Sequence, residues 1–459
     1  MNKKTGCLLL EIGIVVLLVI AERAGYLGIQ HAIILSFLFG FQLLLVSEIM
    51  PIIVTCMIAI CVMPVIGLTG SVAESFSGFS NSVIFFVVAS FGLSVAFFKV
   101  SLMKRILSVV FRLVGYKANR LILAIMICTA LTSSIMSNVP ACVINMMLGL
   151  KLVDLYREEQ EKKRMGKVVM LAVTFSSMIG GMTTPVGSSI NILAMNILEQ
   201  QTGMRIGFAQ WMLVGLPMVF VSILVCWWLL CRVYRPAELN EEDAVRFVRE
   251  NAANGSLSLN EKKLICILGV MIVLWVASSW VTVLNVVWIA MTGCVVMLLP
   301  CIGIITIEDY KQELNLDAIV LMGTVLTVGN AIVEKDIIDF SMLSGITQLP
   351  LFFMILIVAI VVFAGLLVIP IAPSLVSILV PILIGVAGSA EQAAVFTITV
   401  ALCVQNCYLL PIDTVCLITY GKGHYSMTDM SRIAICVQCV QVVLISVLMV
   451  LVHGVFQII

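Results

Sequence analysis

Thr132 to Ala141 read TSSIMSNVPA, a polar, proline-containing stretch at the centre of the apolar run 121–150. Basic residues flank this run on both sides: Lys104, Arg105, Arg112, Lys117 and Arg120 before it, and Lys151, Arg157, Lys162, Lys163, Arg164 and Lys167 after it. Because such residues concentrate in cytoplasmic loops, both ends of the run should lie on one membrane face. We therefore predict a re-entrant hairpin with the polar stretch at its tip.

Composition supports a membrane location for the whole chain. Of its 459 residues, 62% are hydrophobic and 11% are charged, and the mean hydropathy is +1.18. In a typical soluble domain, about a quarter of the residues are charged. Apolar runs of roughly membrane-spanning length occur throughout: 7–20, 28–46, 51–68, 81–98, 121–150, 168–198, 208–231, 264–282, 284–304, 316–334, 351–386, 392–418 and 433–455.

Charge and motifs argue against nucleic-acid binding and against an enzyme. The 26 Lys and Arg nearly balance 25 Asp and Glu, so there is no basic footprint for nucleic acid. The 15 cysteines lie almost entirely in apolar runs, where Cys behaves as a small hydrophobe. No HExxH, GxSxG or P-loop pattern occurs. We expect no cofactor, and transport driven by an ion gradient or by exchange.

A second long run, 351–386, also carries central prolines, Pro370 and Pro373, but Lys335 is the nearest basic residue. It predicts a hairpin that enters from the outside. Counting from a cytoplasmic Lys3 and Lys4, about 11 transmembrane helices and two hairpins place the C-terminus outside. The first run is interrupted by Glu11 and predicts an uncleaved helix rather than a signal peptide.

The order span, hairpin, broken span, span occurs twice from opposite faces, which is typical of an inverted repeat in secondary transporters. We predict an all-α polytopic protein with these parts: 1–80, N-terminal scaffold helices; 81–231, first repeat with hairpin 121–150 and broken helix 168–198; 232–263, cytoplasmic linker; 264–315, connecting helices; 316–459, second repeat with hairpin 351–386 and broken helix 392–418. The linker is predicted to be a solvated connector, with a short amphipathic helix as the alternative.

Polar groups in the first tip are candidates for a cation site. Ser133, Ser137 and Asn138 offer hydroxyl and amide oxygens where polar groups are costly unless they are used. Hard cations such as sodium prefer oxygen ligands, by extension from calcium and magnesium. The alternative interpretation is that these hydroxyls only mediate helix packing.

Both broken spans carry further candidates. Ser176–Ile192 (SSMIGGMTTPVGSSINI) holds three glycines and a proline, which favours an unwound stretch with exposed carbonyls. Its counterpart Asn406–Ile418 (NCYLLPIDTVCLI) holds Asp413, an acidic residue deep in an apolar span. Asp413 is predicted to act as a proton site, cation ligand or counter-ion. A structural Asp at a helix N-terminus is the alternative.

These stretches together resemble the divalent anion:sodium symporter family of di- and tricarboxylate and sulfate transporters. The similar stretches are Glu74–Ile106, Ser133–Met146, Gly180–Ile192, Asn315–Ile332 and Leu409–Arg432. The resemblance implies a homodimer in which a transport domain slides against a scaffold in an elevator motion. It also implies a Ser-Asn-Thr motif at each hairpin tip, which forms a sodium site with the broken helix and binds substrate carboxylates.

This chain departs from that pattern at both tips. Val139 replaces the first threonine, so the resemblance implies a sodium site on Ser133, Ser137, Asn138 and the backbone near Gly187. The substrate contacts carried over are Asn138, Val139, Ile371, Ala372, Pro373 and Thr414. The second tip has become Ile371-Ala372-Pro373 and keeps no side-chain oxygen. By repeat symmetry Asp413 matches Gly187, and its carboxylate is predicted to replace the second cation, giving proton coupling or a single sodium.

The sequence thus predicts a secondary transporter of a small anion, dicarboxylate-, tricarboxylate- or sulfate-like, coupled to sodium or protons. Loss of donors at the tips favours a smaller or less charged anion than a dicarboxylate. A cation/proton antiporter or oxyanion permease is the first alternative, and an intramembrane enzyme or sensor is the second. We expect a multi-pass protein of a bacterial inner membrane, with the anion, lipid and a second copy as partners.

Overall fold

The computed structural model describes residues 28–456 except 48, 101, 116, 252–255, 282, 336–348, 370 and 410–412. The described residues form helices and contain no β-strand, which confirms the prediction of an all-α chain. Several predicted features lie outside the described residues: the first span 7–20, Lys3, Lys4, Pro370 and Pro411.

The helices follow the apolar runs closely, because each run supplies about 15 to 25 residues of one continuous helix. The first half contains Ile29–Ser47, Ile52–Val62, Ser82–Lys99, Leu102–Val114, Ala118–Met136, Asn138–Val153, Glu159–Gly180, Ser189–Thr202, Phe208–Tyr234 and Glu241–Asn251, with 3₁₀ turns at Glu74–Ser80 and Pro185–Gly187. The second half contains Leu259–Ala277, Val286–Leu298, Ile307–Glu313, Leu316–Glu334, Leu351–Val368, Ala372–Val386, Ala390–Val404, Thr414–Tyr420 and Met427–Phe456.

Length and composition alone let four described helices cross a membrane: Ser82–Lys99, Ala118–Met136, Phe208–Tyr234 and Met427–His453. Ile307–Glu313 and Leu316–Ile332, bent by 60°, make a fifth if they are one span. Seven more apolar helices among the described residues are shorter, at 10–17 residues. The number of crossings therefore stays a prediction.

The helix Phe208–Tyr234 shows the kind of surface that lipid requires. It exposes a row of large apolar side chains three or four residues apart: Leu213, Leu216, Phe220, Leu224 and Trp228. Residues at this spacing share one helix face. A soluble protein seldom leaves so large an apolar stripe in contact with water.

Both long apolar segments fold back on themselves. In the first, Asn145 Nδ2 donates to Thr132 Oγ1 at 3.2 Å, although 13 residues of continuous helix would separate them by about 20 Å. The reversal occurs at Ser137, the single residue between the two helices. In the second, the side chain of Leu375 lies against Gly365, so the chain reverses between Val368 and Ala372. We call these segments the first and the second hairpin.

The two hairpins pack on the broken spans in a crossed pattern. The first broken span comprises Glu159–Gly180 and Ser189–Thr202, and the second comprises Ala390–Val404 and Thr414–Tyr420. The second arm of each hairpin contacts the first helix of its own broken span and the second helix of the other. Each half of the chain therefore needs the other to enclose its break.

Two of the described helices are amphipathic. Leu102–Val114 forms in a stretch that was predicted only as a basic flank. Glu241–Asn251 forms in the linker, in agreement with the alternative prediction of a short amphipathic helix rather than with a solvated connector. Their aromatic rings meet, with the centroids of Phe111 and Phe247 6.1 Å apart. Burial of Phe247 explains why this part of the linker is helical, because the apolar face of the helix packs against the neighbouring helix Leu102–Val114.

Candidate functional site

Two predicted residues, Ser133 and Asn138, meet where the first hairpin turns. Ser133 is fully buried, and its Oγ lies 2.6 Å from the carbonyl oxygen of Ser177 and 2.9 Å from Asn138 Oδ1. Ser177 Oγ in turn donates to the backbone oxygen of Asn138 at 2.5 Å. The hairpin tip is thus fastened to the last turn of Glu159–Gly180, and uncharged oxygens are gathered between them.

Ser137 makes the turn at an energetic cost. Its φ of +79° lies where residues with a side chain are strained, and its ψ is 155°. Such conformations cost of order 1–3 kcal/mol and are found where the surroundings enforce them, often at binding sites. Ser137 lies between the two hairpin helices, so this strained residue sets how the tip meets the broken span.

The first break is held by side chains rather than by helix hydrogen bonds. Asn191 Nδ2 donates to the carbonyl oxygens of Gly181 at 3.0 Å and Thr184 at 2.9 Å. Thr184 Oγ1 donates to the carbonyl oxygen of Ser134 at 2.6 Å and accepts from Gly187 N at 3.0 Å. Gly187 lies against the Gly181 carbonyl, so a Cβ on Gly187 would be only 2.6 Å from the Gly181 oxygen. The predicted unwound stretch therefore has a defined conformation.

Gln405, which the sequence analysis did not single out, reaches this site from the other half of the chain. It caps Ala390–Val404, is 2% exposed, and donates from Nε2 to Asn191 Oδ1 at 2.5 Å. Its Oε1 faces Gly181 together with Asn138 Oδ1. A polar residue inside an apolar run was the available signal, but only the fold shows what it faces.

Helix ends give the site its electrostatic character. Glu159–Gly180 and Ala390–Val404 both end here, and helix C-termini carry partial negative charge. Asn138–Val153 and Ser189–Thr202 begin here, and helix N-termini carry partial positive charge and free N–H groups. Carbonyl ends favour a cation, while amide ends favour an anion beside it.

The second tip is apolar, as its sequence predicts. Ile371 packs against the cluster formed by Ile29–Ser47, Ile52–Val62 and Leu316–Glu334, and Ala372 is buried. Pro373 carries no N–H donor. The next residue, Ser374, is 1% exposed, and its hydroxyl has no hydrogen-bond partner among the described residues.

Asp413 and Thr414 begin the second helix of the second broken span. Asp413 Oδ1 accepts from Val415 N at 2.9 Å, so the carboxylate caps this helix, as the structural alternative predicted. Thr414 is exposed. The helix packs against the first hairpin, where Cys142 Sγ lies 4.0 Å from the Val415 carbonyl oxygen.

No group of three His, Cys, Asp or Glu side chains in the described residues is arranged to hold a metal ion. The oxygens available at the first tip come instead from hydroxyl, amide and carbonyl groups. Neutral oxygen donors suit a hard cation of low charge better than a transition metal.

Comparison with known proteins identifies the family. A family model described as "Sodium:sulfate symporter transmembrane region" matches residues 3–457, nearly the whole chain. The chain belongs to this family. Membership confirms the resemblance inferred from the tip and break sequences. It also confirms an integral, multi-pass membrane protein of a transporter family rather than an enzyme.

Individual relatives of this sodium:sulfate symporter family member match only part of the chain and at low sequence identity. The sodium-dependent dicarboxylate transporter SdcS of Staphylococcus aureus strain USA300 is 28% identical over 189 residues, which are 40% of this chain and 36% of that protein. The match thus spans little more than a third of the relative. The protein of strain NCTC 8325 gives the same figures.

The fold also has a counterpart among solved structures. The crystal structure of the YdaH transporter of Alcanivorax borkumensis has a TM-score of 0.53 to this chain, with 13% sequence identity. The similarity covers 83% of this chain and 87% of that one. At this identity the likeness concerns the fold alone.

Proposed function

We propose that this chain is a secondary transporter that couples a small anion to sodium at the first hairpin tip. The observation that carries the proposal is the convergence of Ser133 Oγ, Asn138 Oδ1 and the Ser177 carbonyl at a hairpin tip buried against a helix break. A family described by sodium:sulfate symport and a sodium-dependent dicarboxylate relative support the same class.

The sodium ligands are proposed to be Ser133, Ser137, Asn138 and the backbone at Gly187. Buried oxygens need hydrogen-bond donors or a cation, because desolvation is otherwise costly. Gly187 stacks on the Gly181 carbonyl, next to the position that Asn138 Oδ1 faces. The C-terminal helix ends at the breaks add favourable potential for a positive ion.

The anion is proposed to bind beside the cation, against Asn138, Val139, Ile371, Ala372, Pro373 and Thr414. Val139 and the second-tip residues offer no side-chain donor, so backbone N–H groups at the start of Asn138–Val153 must supply much of the recognition. A bulky dianion buried in such a site would lack paired donors. An anion that is smaller or less charged than succinate or citrate therefore suits the site better.

Asp413 is proposed to serve in place of a second sodium. The second tip lacks the oxygens of the first, whereas Asp413 brings a carboxylate to the second break. A carboxylate that binds and releases a proton gives either proton coupling or transport with one sodium. The same observation favours the second candidate function, a cation/proton antiporter.

The remaining architecture follows from the same proposal. We propose an inverted repeat of residues 81–231 and 316–459, with scaffold residues 1–80, linker 232–263 and connecting residues 264–315. We also propose that the protein is a homodimer of a bacterial inner membrane and works by an elevator motion. Its N-terminus is proposed to be cytoplasmic and its C-terminus external. The crossed packing of hairpins and broken spans supports a transport unit built from both halves.

Uptake into liposomes tests the function. Purified protein is reconstituted, and radiolabelled sulfate, acetate, succinate and citrate are offered under sodium and proton gradients imposed separately. We expect sodium-driven uptake of a small anion with a Hill coefficient near one for sodium. Sodium-independent exchange of cations for protons, without anion uptake, would favour the antiporter instead.

A further inference from the structure

Gln405 is held in one orientation by a chain of hydrogen bonds. Asn191 Nδ2 is committed to the carbonyl oxygens of Gly181 and Thr184, so its Oδ1 is the atom that faces Gln405. An oxygen there requires a donor, and Gln405 Nε2 supplies it at 2.5 Å. The other end of the same amide, Oε1, must therefore point away from Asn191.

That oxygen, Gln405 Oε1, faces the first hairpin tip. Within the described part of the chain, Gln405 Oε1 has no hydrogen-bond partner, and the residue is 2% exposed. Buried polar atoms are almost always paired, so an orphaned one needs an explanation such as an ion.

Gly181 reveals what the oxygen faces. A Cβ built on Gly181 would lie 2.1 Å from Asn138 Oδ1 and 2.8 Å from Gln405 Oε1, so these oxygens are at most 4.9 Å apart, the sum of the two distances. One cation that touches two oxygens at about 2.3–2.6 Å, the range for calcium, requires them to be no more than about 4.6–5.2 Å apart, the upper limit reached when the two ligands lie on opposite sides of the ion. Sodium has nearly the radius of calcium, and the absence of a side chain on Gly181 leaves room for it.

We infer that Gln405 Oε1 is a sodium ligand, so the first cation site takes one amide oxygen from each half of the chain. This inference rests on the proposed sodium coupling and extends it by a residue outside the hairpin tip and its own break. Asn191 acts as a positioning residue, because it turns the Gln405 amide so that oxygen rather than nitrogen faces the ion.

The chemistry of the set fits a monovalent ion. Asn138 and Gln405 bring neutral amide oxygens, Ser133 a hydroxyl and Ser177 a carbonyl, without a carboxylate. Calcium and magnesium sites usually include one or more carboxylates to balance the ion's charge. A site of neutral oxygens at two helix C-termini therefore binds sodium without capturing divalent ions.

A ligand from each half also gives the ion a mechanical role. Asn138 belongs to the first hairpin, whereas Gln405 caps a helix of the second broken span. A cation bound by both closes the gap between the two halves at the tip. Without it, two amide oxygens face one another across the gap and repel.

The test measures sodium binding without transport. Thermal unfolding of the full chain in lipid nanodiscs is followed as sodium replaces choline at constant chloride, and the midpoint shift gives an apparent Kd. Gln405→Met removes the oxygen at similar length, and we expect its sodium Kd to rise about tenfold or more. Gln438→Met is the matched control, since Gln438 is also buried and donates from Nε2 to the Asn406 carbonyl at 2.8 Å.

A second variant predicts a gain of binding, which a folding defect cannot produce. Gln405→Glu keeps an oxygen and adds charge, so sodium should still stabilise it and calcium should newly do so. Equal sodium affinity in wild type and Gln405→Met, or no calcium response in Gln405→Glu, would overturn the role of Gln405 alone. A wild type that sodium does not stabilise would overturn the proposed coupling as well.

Discussion

Gln405 and Asn191 join the two helix breaks through a side-chain hydrogen bond of 2.5 Å, although 214 positions separate them in the chain. Asn191 also holds the backbone of the first break, through the carbonyls of Gly181 and Thr184. The conformation of one break is therefore tied to the position of the other. Through this pair, the proposed cation ligand Gln405 is coupled to the backbone geometry of the first break.

Replacing Asn191 should destabilise the protein strongly. Asn191→Leu leaves the Gly181 carbonyl without its donor, at about 1–3 kcal/mol for an orphaned buried group. It also removes one of two hydrogen bonds from the Thr184 carbonyl, which keeps Gly187 N, and from Gln405 Nε2, which keeps the Ala401 carbonyl. We expect a fall of about 2 kcal/mol or more in the free energy of unfolding, seen as a lower unfolding temperature in nanodiscs. Asn196→Leu, on the same helix but half-buried, is the control. Equal effects of the two changes would contradict a special role for Asn191.

Ser133→Ala should weaken sodium binding more than it weakens the fold. The change removes a hydroxyl that lies within 2.9 Å of Asn138 Oδ1. We expect the sodium concentration for half-maximal uptake to rise about tenfold. Ser176→Ala removes an equally buried hydroxyl that bonds only within its own helix, to Ala172 and Val173, and should leave sodium dependence unchanged. A similar shift in both variants would point to general loosening of the helix.

The strain at Ser137 predicts different stabilities for two small substitutions. Glycine adopts the φ of +79° freely, whereas alanine keeps the strain. Ser137→Gly should therefore be more stable than Ser137→Ala by about 1 kcal/mol. Both lose the hydroxyl, so both should weaken sodium binding alike. An alanine variant as stable as the glycine variant would show that the tip relaxes without a left-handed residue.

Asp413→Asn should alter pH dependence without breaking the fold. Asparagine retains an oxygen that can accept from Val415 N, so the helix cap survives. If Asp413 carries a proton in the transport cycle, uptake by the variant becomes insensitive to an imposed pH gradient. Asp154→Asn, at an exposed ion pair with Lys162, is the control. Two-sodium uptake that Asp413→Asn leaves intact would exclude this role.

Trp211 should report cation binding optically. Its buried indole donates from Nε1 to the Met182 carbonyl at 3.0 Å, one residue beyond Gly181. Sodium at the tip should fix this carbonyl and shift the emission of Trp211. Trp211→Phe should abolish the sodium-dependent change, whereas Trp275→Phe, which removes a buried indole bonded to Val286, should keep it. A signal that survives in Trp211→Phe would place the sodium effect elsewhere.

The sequence alone located most of the parts. Polar residues in the middle of apolar runs are local features, so the tip at Ser133–Asn138 and the break at Gly181–Gly187 could be found without a fold. The helix Leu102–Val114 also has a local signal, because its apolar residues recur at helical spacing among the basic ones. The partly buried ion pair of Arg105 with Glu261, at 3.0 Å, could not be foreseen, because it joins residues from separate segments.

What the sequence determined by itself is where the chain must cross, turn back and unwind, since burial in lipid forces each segment to satisfy its own backbone. Only the tertiary structure decided which side chains share the site. Gln405 shows the difference. The sequence shows a polar residue at the end of an apolar helix, but only the fold shows that its amide bonds to Asn191 and faces the space beside Gly181. Such partners lie far away in the chain, and packing alone brings them together.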